Sequence, residues 1–174
     1  MAMDLEGLTF HNNYRPFDQF NGVPLLLGVM GSGSGPQPFK TVRDYDNWIK
    51  RATAFSAWTD SAIVYFKKGI KAHWVLPKAL VVKMIPQMYA MVTDSVEKSL
   101  FYGPIKKFPA TFNDSDKQRL TVAYRQLITQ QIIPSFKKLG DFLKNEYLPK
   151  ARTTTGISDV PGGAEYYNYL VRYW

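Results

Sequence analysis

The chain has 174 residues, of which 45% are hydrophobic, so it can fold as one domain with a substantial core and is not globally disordered. Its formal charge of +8 is spread along the sequence without a long block of like charges, which excludes a basic tail and makes nucleic acid an unexpected partner. Cysteine is absent, and the only histidines are His11 and His73. Two histidines with a carboxylate can bind a metal, but these two stand in unrelated contexts, so no catalytic residue and no metal ligand is identified.

The first forty residues predict a partly helical segment, one short helix and a loop. Residues 1–21 are irregular in pattern, whereas residues 23–30 form an apolar run in which Pro24 suits the first turn of a helix. That run is far shorter than a membrane-spanning helix. Glycine, serine and proline in residues 31–40 predict a loop, and no Lys-Ser/Thr pair closes it as in a phosphate-binding loop.

A long amphipathic helix is predicted from residue 41 onwards. The Thr41 side chain can accept from the backbone N–H of Asp44, and an acidic residue in the first turn suits the helix dipole. Apolar residues then recur every three or four positions from Val42 to Phe66, which is one helical face over about seven turns. Gly69 is expected to end this helix.

Two further helices are predicted in the middle of the chain. The first begins at Pro77 and is expected to kink at Pro86, and its methionine-rich face is interpreted as core. Residues 94–114 predict extended or turn structure. A capping box at Ser115 then begins a second long amphipathic helix, either continuous with a kink near Pro134 or divided into two consecutive helices.

The last 26 residues predict a loop and a final helix. Residues 149–163 are rich in turn-forming residues, with a short strand expected near 157–163. Residues 164–174 form an amphipathic segment whose tyrosines, Tyr166, Tyr167 and Tyr169, are interpreted as lying outside the core.

The candidate substrate-binding residues are Gly162, Gly163, Tyr166 and Tyr167. A flexible glycine backbone beside phenol groups can line a cleft for a peptide or another ligand. A turn that packs against another domain fits the same residues equally well. His73 is interpreted as a surface residue rather than a base, because no second catalytic group accompanies it.

Four segments carry a family resemblance: residues 39–48 (FKTVRDYDNW), 69–77 (GIKAHWVLP), 142–152 (FLKNEYLPKAR) and 160–172, which begins VPGGAEYY. They resemble a bacterial family known as domain-of-unknown-function family 885, and the resemblance extends from about Pro16 to Trp174. Members of that family are similar to single-chain helical zinc metallopeptidases. Their metal-binding helix lies downstream of the matched region.

The resemblance implies several properties of this chain. It implies no cofactor in the chain itself, zinc in a longer parent protein, and an extracytoplasmic location, either periplasmic or as a lipoprotein. It also implies that Gly162, Gly163, Tyr166 and Tyr167 match a loop that faces a cleft. The expected partners are the remainder of the parent protein or a second copy, through apolar faces, and a peptide-like substrate.

The sequence therefore predicts an all-α fold, a bundle of roughly five to seven helices including two long amphipathic ones, with proline kinks and extended loops. Residues 1–174 are expected to form a single helical domain within a larger helical protein. The predicted function is the scaffold and substrate-cleft portion of a zinc-dependent peptidase-like protein, not catalytic alone. The alternative is a stand-alone basic helical binding module. A scaffold portion would expose a large apolar patch, whereas a basic module would retain anionic partners in a salt-dependent way.

Overall fold

The computed structural model describes residues 2–174 and confirms the all-α prediction. Within this range the helices are α1 (Ala2–Gly7), α2 (Val23–Gly31), α3 (Val42–Thr53), α4 (Phe55–Lys71), α5 (Lys78–Tyr89), α6 and α7 (Gly163–Tyr173). Helix α6 is a continuous run that begins at Asp114 and ends at Lys150. No helix in residues 2–174 is long and apolar enough to cross a membrane.

Helix α6 supports the main hydrophobic core. Its inward residues, including Leu120, Tyr124, Ile128 and Leu139, are fully buried. Helices α3, α4 and α5 all contact it. A second, smaller core cluster of Trp74, Val160, Tyr166 and Tyr169 lies under α7.

Helix α6 contains two π-helical turns, and each lies just before a proline. The first spans Ile128–Ile132 and precedes Pro134, and the second spans Leu143–Tyr147 and precedes Pro149. A proline has no N–H to donate and its ring collides with the carbonyl four residues back. Widening the preceding turn to the i→i+5 pattern relieves this collision without ending the helix. Of the two predicted alternatives, the structure shows the continuous helix, and the kink near Pro134 stays a prediction.

The predicted long helix from residue 41 is two helices. Its start is confirmed, because the Asp44 N–H donates to Thr41 Oγ1 at 3.3 Å and the Asp44 carboxylate accepts from the Thr41 N–H at 2.8 Å. The helix ends at Thr53, whose hydroxyl donates to the Ile49 carbonyl at 2.8 Å. Helix α4 then begins at Phe55 after a turn at Ala54.

Three other predictions about local structure were wrong. Residues 100–107, within the segment expected to be extended or turn structure, form a 3-10 helix of eight residues that buries Phe101 and Tyr102. Helix α6 begins two residues earlier than expected, because Asn113 rather than Ser115 is its N-cap. No strand forms in residues 2–174, and the expected strand near 157–163 is instead a 3-10 turn, Ile157–Asp159.

Other expectations hold. Pro24 lies in the first turn of α2, and the methionine face of α5 is core, with Met84 and Met88 buried. Pro86 lies inside α5, where a kink stays a prediction.

Replacing the N-cap of α6 tests whether this helix begins after Asn113 rather than after Ser115. The Asn113 side chain accepts from the Asp116 N–H at 2.8 Å, so replacing it leaves a helical donor unsatisfied. We expect Asn113→Ala to lower the free energy of unfolding by about 1 kcal/mol. The matched control Ser115→Ala, inside the first turn, is expected to change it by less than about 0.5 kcal/mol. Urea denaturation measures both, and a larger loss for Ser115→Ala would contradict the assignment.

The capping box at the start of α3 predicts a pH dependence. Backbone and side-chain hydrogen bonds from Thr41 hold the pKa of Asp44 below its ordinary value of 3.8. A carboxylate whose pKa is lowered by folding contributes stability above its unfolded-state pKa, and that stability is lost as the pH falls through the folded-state pKa. We expect the stability difference between the wild type and Asp44→Asn to be constant near neutral pH and to shrink below pH 3.8. A difference that stays constant in acid would contradict this.

Candidate functional site

A cleft of about 230 Å³ lies where the N-terminal segment meets the turn after α4 and the loop before α7. We call it the Trp74 cleft; its lining residues are Thr9, Phe10, His11, Trp74, Pro161, Gly162 and Glu165. Trp74 is 1% exposed, and its indole N–H donates to the Pro161 carbonyl at 2.7 Å. This bond joins parts of the chain that are far apart in sequence and fixes the loop against the cleft.

His73 gives the turn before Trp74 its shape. Its φ of +56° places it in the left-handed region, and the following N–H, from Trp74, donates to the Gly69 carbonyl at 2.8 Å. This is the way many α-helices end. The His73 side chain is exposed, as the sequence predicted, and it is not among the cleft residues.

Glycine is required at positions 162 and 163 for different structural reasons. Gly162 has φ +69° and open space around it, so it supplies the left-handed backbone that begins α7. At residue 163 a Cβ would lie 1.9 Å from the Ile157 carbonyl oxygen, so only glycine fits. Gly162 therefore lines the cleft, whereas Gly163 packs behind it.

Arg152 organises the loop that leads to the cleft. Its guanidinium donates to the carbonyls of Val75 at 3.1 Å, Thr154 at 2.9 Å and Gly156 at 2.6 Å. Its own backbone accepts from the Lys78 N–H at 2.7 Å. Burial lowers the pKa of Arg152, but an arginine remains charged at neutral pH. One cation thus satisfies carbonyl groups that an irregular loop would otherwise leave without partners.

Arg15 and Tyr166 pack on Trp74. The Arg15 guanidinium lies 4.4 Å from the centre of the Trp74 ring, a cation–π contact, and burial lowers its pKa. The Tyr166 ring meets the Trp74 ring edge to face at 5.6 Å, and Phe10 lies 5.1 Å from Tyr166. These contacts make the floor of the cleft rigid.

The predicted site residues differ in burial and in their position relative to the Trp74 cleft. Tyr166 is 8% exposed and Tyr169 is 6% exposed, so the interpretation that they stand outside the core was wrong for both. Tyr167 is 56% exposed and is not among the residues that line the cleft. Of the four candidate residues, Gly162 lines the cleft, Gly163 and Tyr166 support it, and Tyr167 points away from the core.

Sequence reasoning missed Thr9, Phe10, His11 and Glu165 as cleft residues. Their spacing along the chain gives no signal, because residues 9–11 and 161–165 are far apart in sequence and are brought together only by the fold. His11 stacks on Tyr14 with ring centres 4.6 Å apart and planes 6° apart, which holds the imidazole in place. The cleft thereby combines a hydroxyl, an imidazole and a carboxylate with aromatic rings.

The polar groups and aromatic rings of the Trp74 cleft suit recognition of a ligand that has both hydrogen-bonding and apolar groups. Among the side chains that the structure describes, those of residues 5–174, no group of three His, Cys, Asp or Glu is arranged to hold a metal ion.

Comparison with known proteins identifies a family and a fold. A family model described as "Bacterial protein of unknown function (DUF885)" matches residues 2–174. A solved structure described as "the putative lipoprotein from Colwellia psychrerythraea" matches with a TM-score of 0.78 and 22% identity, over 89% of this chain and 26% of that one. At this identity the likeness shows the fold, and the chain spans about a quarter of that protein's length. No curated protein matches the chain.

The two neighbouring tyrosines of α7 provide a test of the site geometry. Removing the buried Tyr166 ring leaves a cavity beside Trp74, so we expect Tyr166→Ala to lower the free energy of unfolding by about 3 kcal/mol. Tyr167→Ala removes an exposed ring and is expected to change it by less than about 0.5 kcal/mol. Urea denaturation of both variants measures this difference. Equal losses would contradict the assignment of Tyr166 as buried and Tyr167 as exposed.

Proposed function

The chain belongs to the DUF885 family of bacterial proteins, and we propose that it is a non-catalytic helical scaffold in a longer, extracytoplasmic, zinc-dependent peptidase-like protein. In this proposal the chain forms one wall of a substrate cleft and binds part of a peptide-like substrate. The zinc ion and its ligands belong to another part of the protein.

The observation that carries this proposal is the Trp74 cleft. Its floor is rigid, because Trp74 is held by the Pro161 carbonyl and covered by Arg15. Its rim offers the polar groups of Thr9, His11 and Glu165. A peptide backbone has donors and acceptors that such a rim can satisfy, and aromatic rings can receive its side chains. Such a wall binds and orients a substrate without supplying the reacting groups.

An exposed apolar stripe on α7 supports contact with another part of a longer protein. Tyr167, Val171 and Trp174 follow one another at helical spacing and are 56%, 63% and 95% exposed. Leu5 and Leu8 of the α1 region are also exposed, and the Arg172–Glu6 ion pair joins α7 to α1. Burying such a stripe against the remainder of the protein would be favourable, at roughly 25 cal/mol for each Å² of apolar surface.

The alternative, a basic module for anionic partners, has less support. Part of the basic charge is paired with carboxylates: Lys67 with Glu146 at 2.8 Å, Lys137 with Asp141 at 2.6 Å and Lys138 with Asp60 at 2.5 Å. Paired lysines contribute little to the attraction of a distant anion.

The extracytoplasmic location is supported by the structural relative described as a lipoprotein.

The two histidines allow a matched test in the full-length protein. Both are exposed, but only His11 lines the Trp74 cleft. We expect His11→Asn to raise KM for a peptide substrate about fivefold with kcat and zinc content unchanged, because one hydrogen bond to bound substrate is lost. His73→Asn, which keeps a residue that tolerates the left-handed backbone, is expected to leave all three unchanged.

Steady-state kinetics with a peptide library and metal analysis of the purified protein give these readouts. A zinc-loaded full-length protein that hydrolyses no peptide would overturn the peptidase part of the proposal. Loss of zinc or of kcat in His11→Asn would overturn the non-catalytic role of this wall.

A further inference from the structure

A second cavity, an apolar groove, lies between α2 and the region where α3 ends and α4 begins. Its volume is about 340 Å³, within the range of roughly 300–1,000 Å³ that small-molecule sites occupy. We call it the α2 groove; its lining residues are Val23, Leu26, Leu27, Met30, Trp48, Arg51, Ala54, Phe55 and Trp58.

The two walls of the α2 groove are made of different side chains. On one side α2 presents aliphatic residues at helical spacing and has no charged residue along its length. On the other side the rings of Phe55 and Trp58 stack with centres 5.7 Å apart and planes 12° apart. Leu26 is 54% exposed at the mouth. An elongated apolar chain would contact both walls.

Helix α2 lies close to α3 because Gly31 has no side chain. A Cβ on residue 31 would lie 2.4 Å from Cζ2 of Trp48 and 2.6 Å from Cδ1 of Phe101. This close approach sets the width of the groove at one end. At about 1.5 Å of rise per residue, the lining part of α2 covers roughly 11 Å, which suits an extended chain of medium length.

One cation stands among these apolar residues. The Arg51 guanidinium donates to the Gln37 side-chain oxygen at 2.7 Å and forms no ion pair with any residue of the described chain. By contrast, Arg119, Arg125 and Arg172 are each paired with a carboxylate. An arginine that has only a neutral partner beside an apolar groove favours an anionic group at that end of the ligand.

A second donor in the same wall has no partner. Trp48 precedes Arg51 by three residues, so the two side chains lie on the same side of α3. The Trp48 indole N–H is buried and makes no hydrogen bond within residues 2–174. Unsatisfied buried donors are rare, because each costs about 1–3 kcal/mol. A carboxylate near Arg51 would bring acceptor oxygens to this part of the wall.

We propose that the α2 groove binds a medium-chain fatty acid. The acyl chain lies between the aliphatic face of α2 and the Phe55–Trp58 stack, and the carboxylate pairs with Arg51. Apolar contact supplies most of the affinity, at about 0.8 kcal/mol for each buried methylene, and Arg51 supplies the preference for an anion. The proposal is independent of the Trp74 cleft and of the function proposed for it.

Three ligands with the same acyl chain and different head groups test this proposal on the full-length protein. Decanoate is expected to bind, measured by calorimetry and by tryptophan fluorescence below its micelle-forming concentration. Decanol is expected to bind about three- to tenfold more weakly, because it lacks the charge–charge contact. Decyltrimethylammonium is expected to bind more weakly still, because its charge is repelled by Arg51. Equal affinity for all three, or no binding of decanoate, would overturn the proposal.

Matched variants locate the site. Leu26 and Val29 are both 54% exposed on α2, but Val29 lines the neighbouring groove beside Met91 rather than the α2 groove. We expect Leu26→Asp to abolish decanoate binding and Val29→Asp to leave it within about twofold. An equal effect of the two substitutions would overturn the location.

The head-group contact has its own matched pair. Arg51→Gln is expected to remove the preference for decanoate over decanol, whereas Arg43→Gln, exposed on the same helix, keeps it. Both positions are exposed, so neither variant disturbs the core, and circular dichroism confirms folding. If sedimentation instead shows that the wild type dimerises and Leu26→Asp is monomeric, a second copy covers the groove and the fatty-acid proposal fails.

Discussion

The uninterrupted helix α6 is the constraint on which the rest of this fold depends. Helices α3, α4 and α5 pack on it, and large rings such as Tyr124 and Tyr147 are buried along it. The Tyr147 hydroxyl also accepts from the Leu76 N–H at 2.9 Å, which fixes the segment before α5. If α6 ended at either of its prolines, this segment and the loop held by Arg152 would lose their support. The same helix therefore positions the Trp74 cleft and the α2 groove, through the elements that pack on it.

Local signals in the sequence were sufficient for the fold class and for several helix boundaries. Pro24 and the Thr41–Asp44 pair act through neighbouring backbone groups, so their effect can be predicted from adjacent residues. The break at Ala54 was not predictable, because the apolar period of the sequence continues through it from Ala52 to Phe55. The same holds for the start of α6, because Asn113 and Ser115 are both good N-cap residues and their identities alone do not distinguish them.

The site was only partly predictable, for a different reason. The glycines at 162 and 163 signal an unusual backbone, and they do form the turn at the cleft. Which tyrosine faces inward depends on the packing of α7 against Trp74 and Phe10, residues distant in sequence. Helical periodicity over eleven residues cannot show which of Tyr166 and Tyr167 is buried, because the two residues are adjacent and both are aromatic. The α2 groove likewise arises from contacts between elements, with no motif of its own.

The π-turns of α6 have a consequence for the comparison of relatives. A π-turn holds one more residue than an α-turn, so each acts as a single-residue insertion that the helix has absorbed. The residues after it are rotated by about 100° relative to an uninterrupted helix, and the buried positions shift by one. Homologues that lack Pro134 or Pro149 are therefore expected to align with a one-residue gap within 128–132 or 143–147. An alignment that forbids gaps inside helices would pair buried residues with exposed ones along the whole second half of α6.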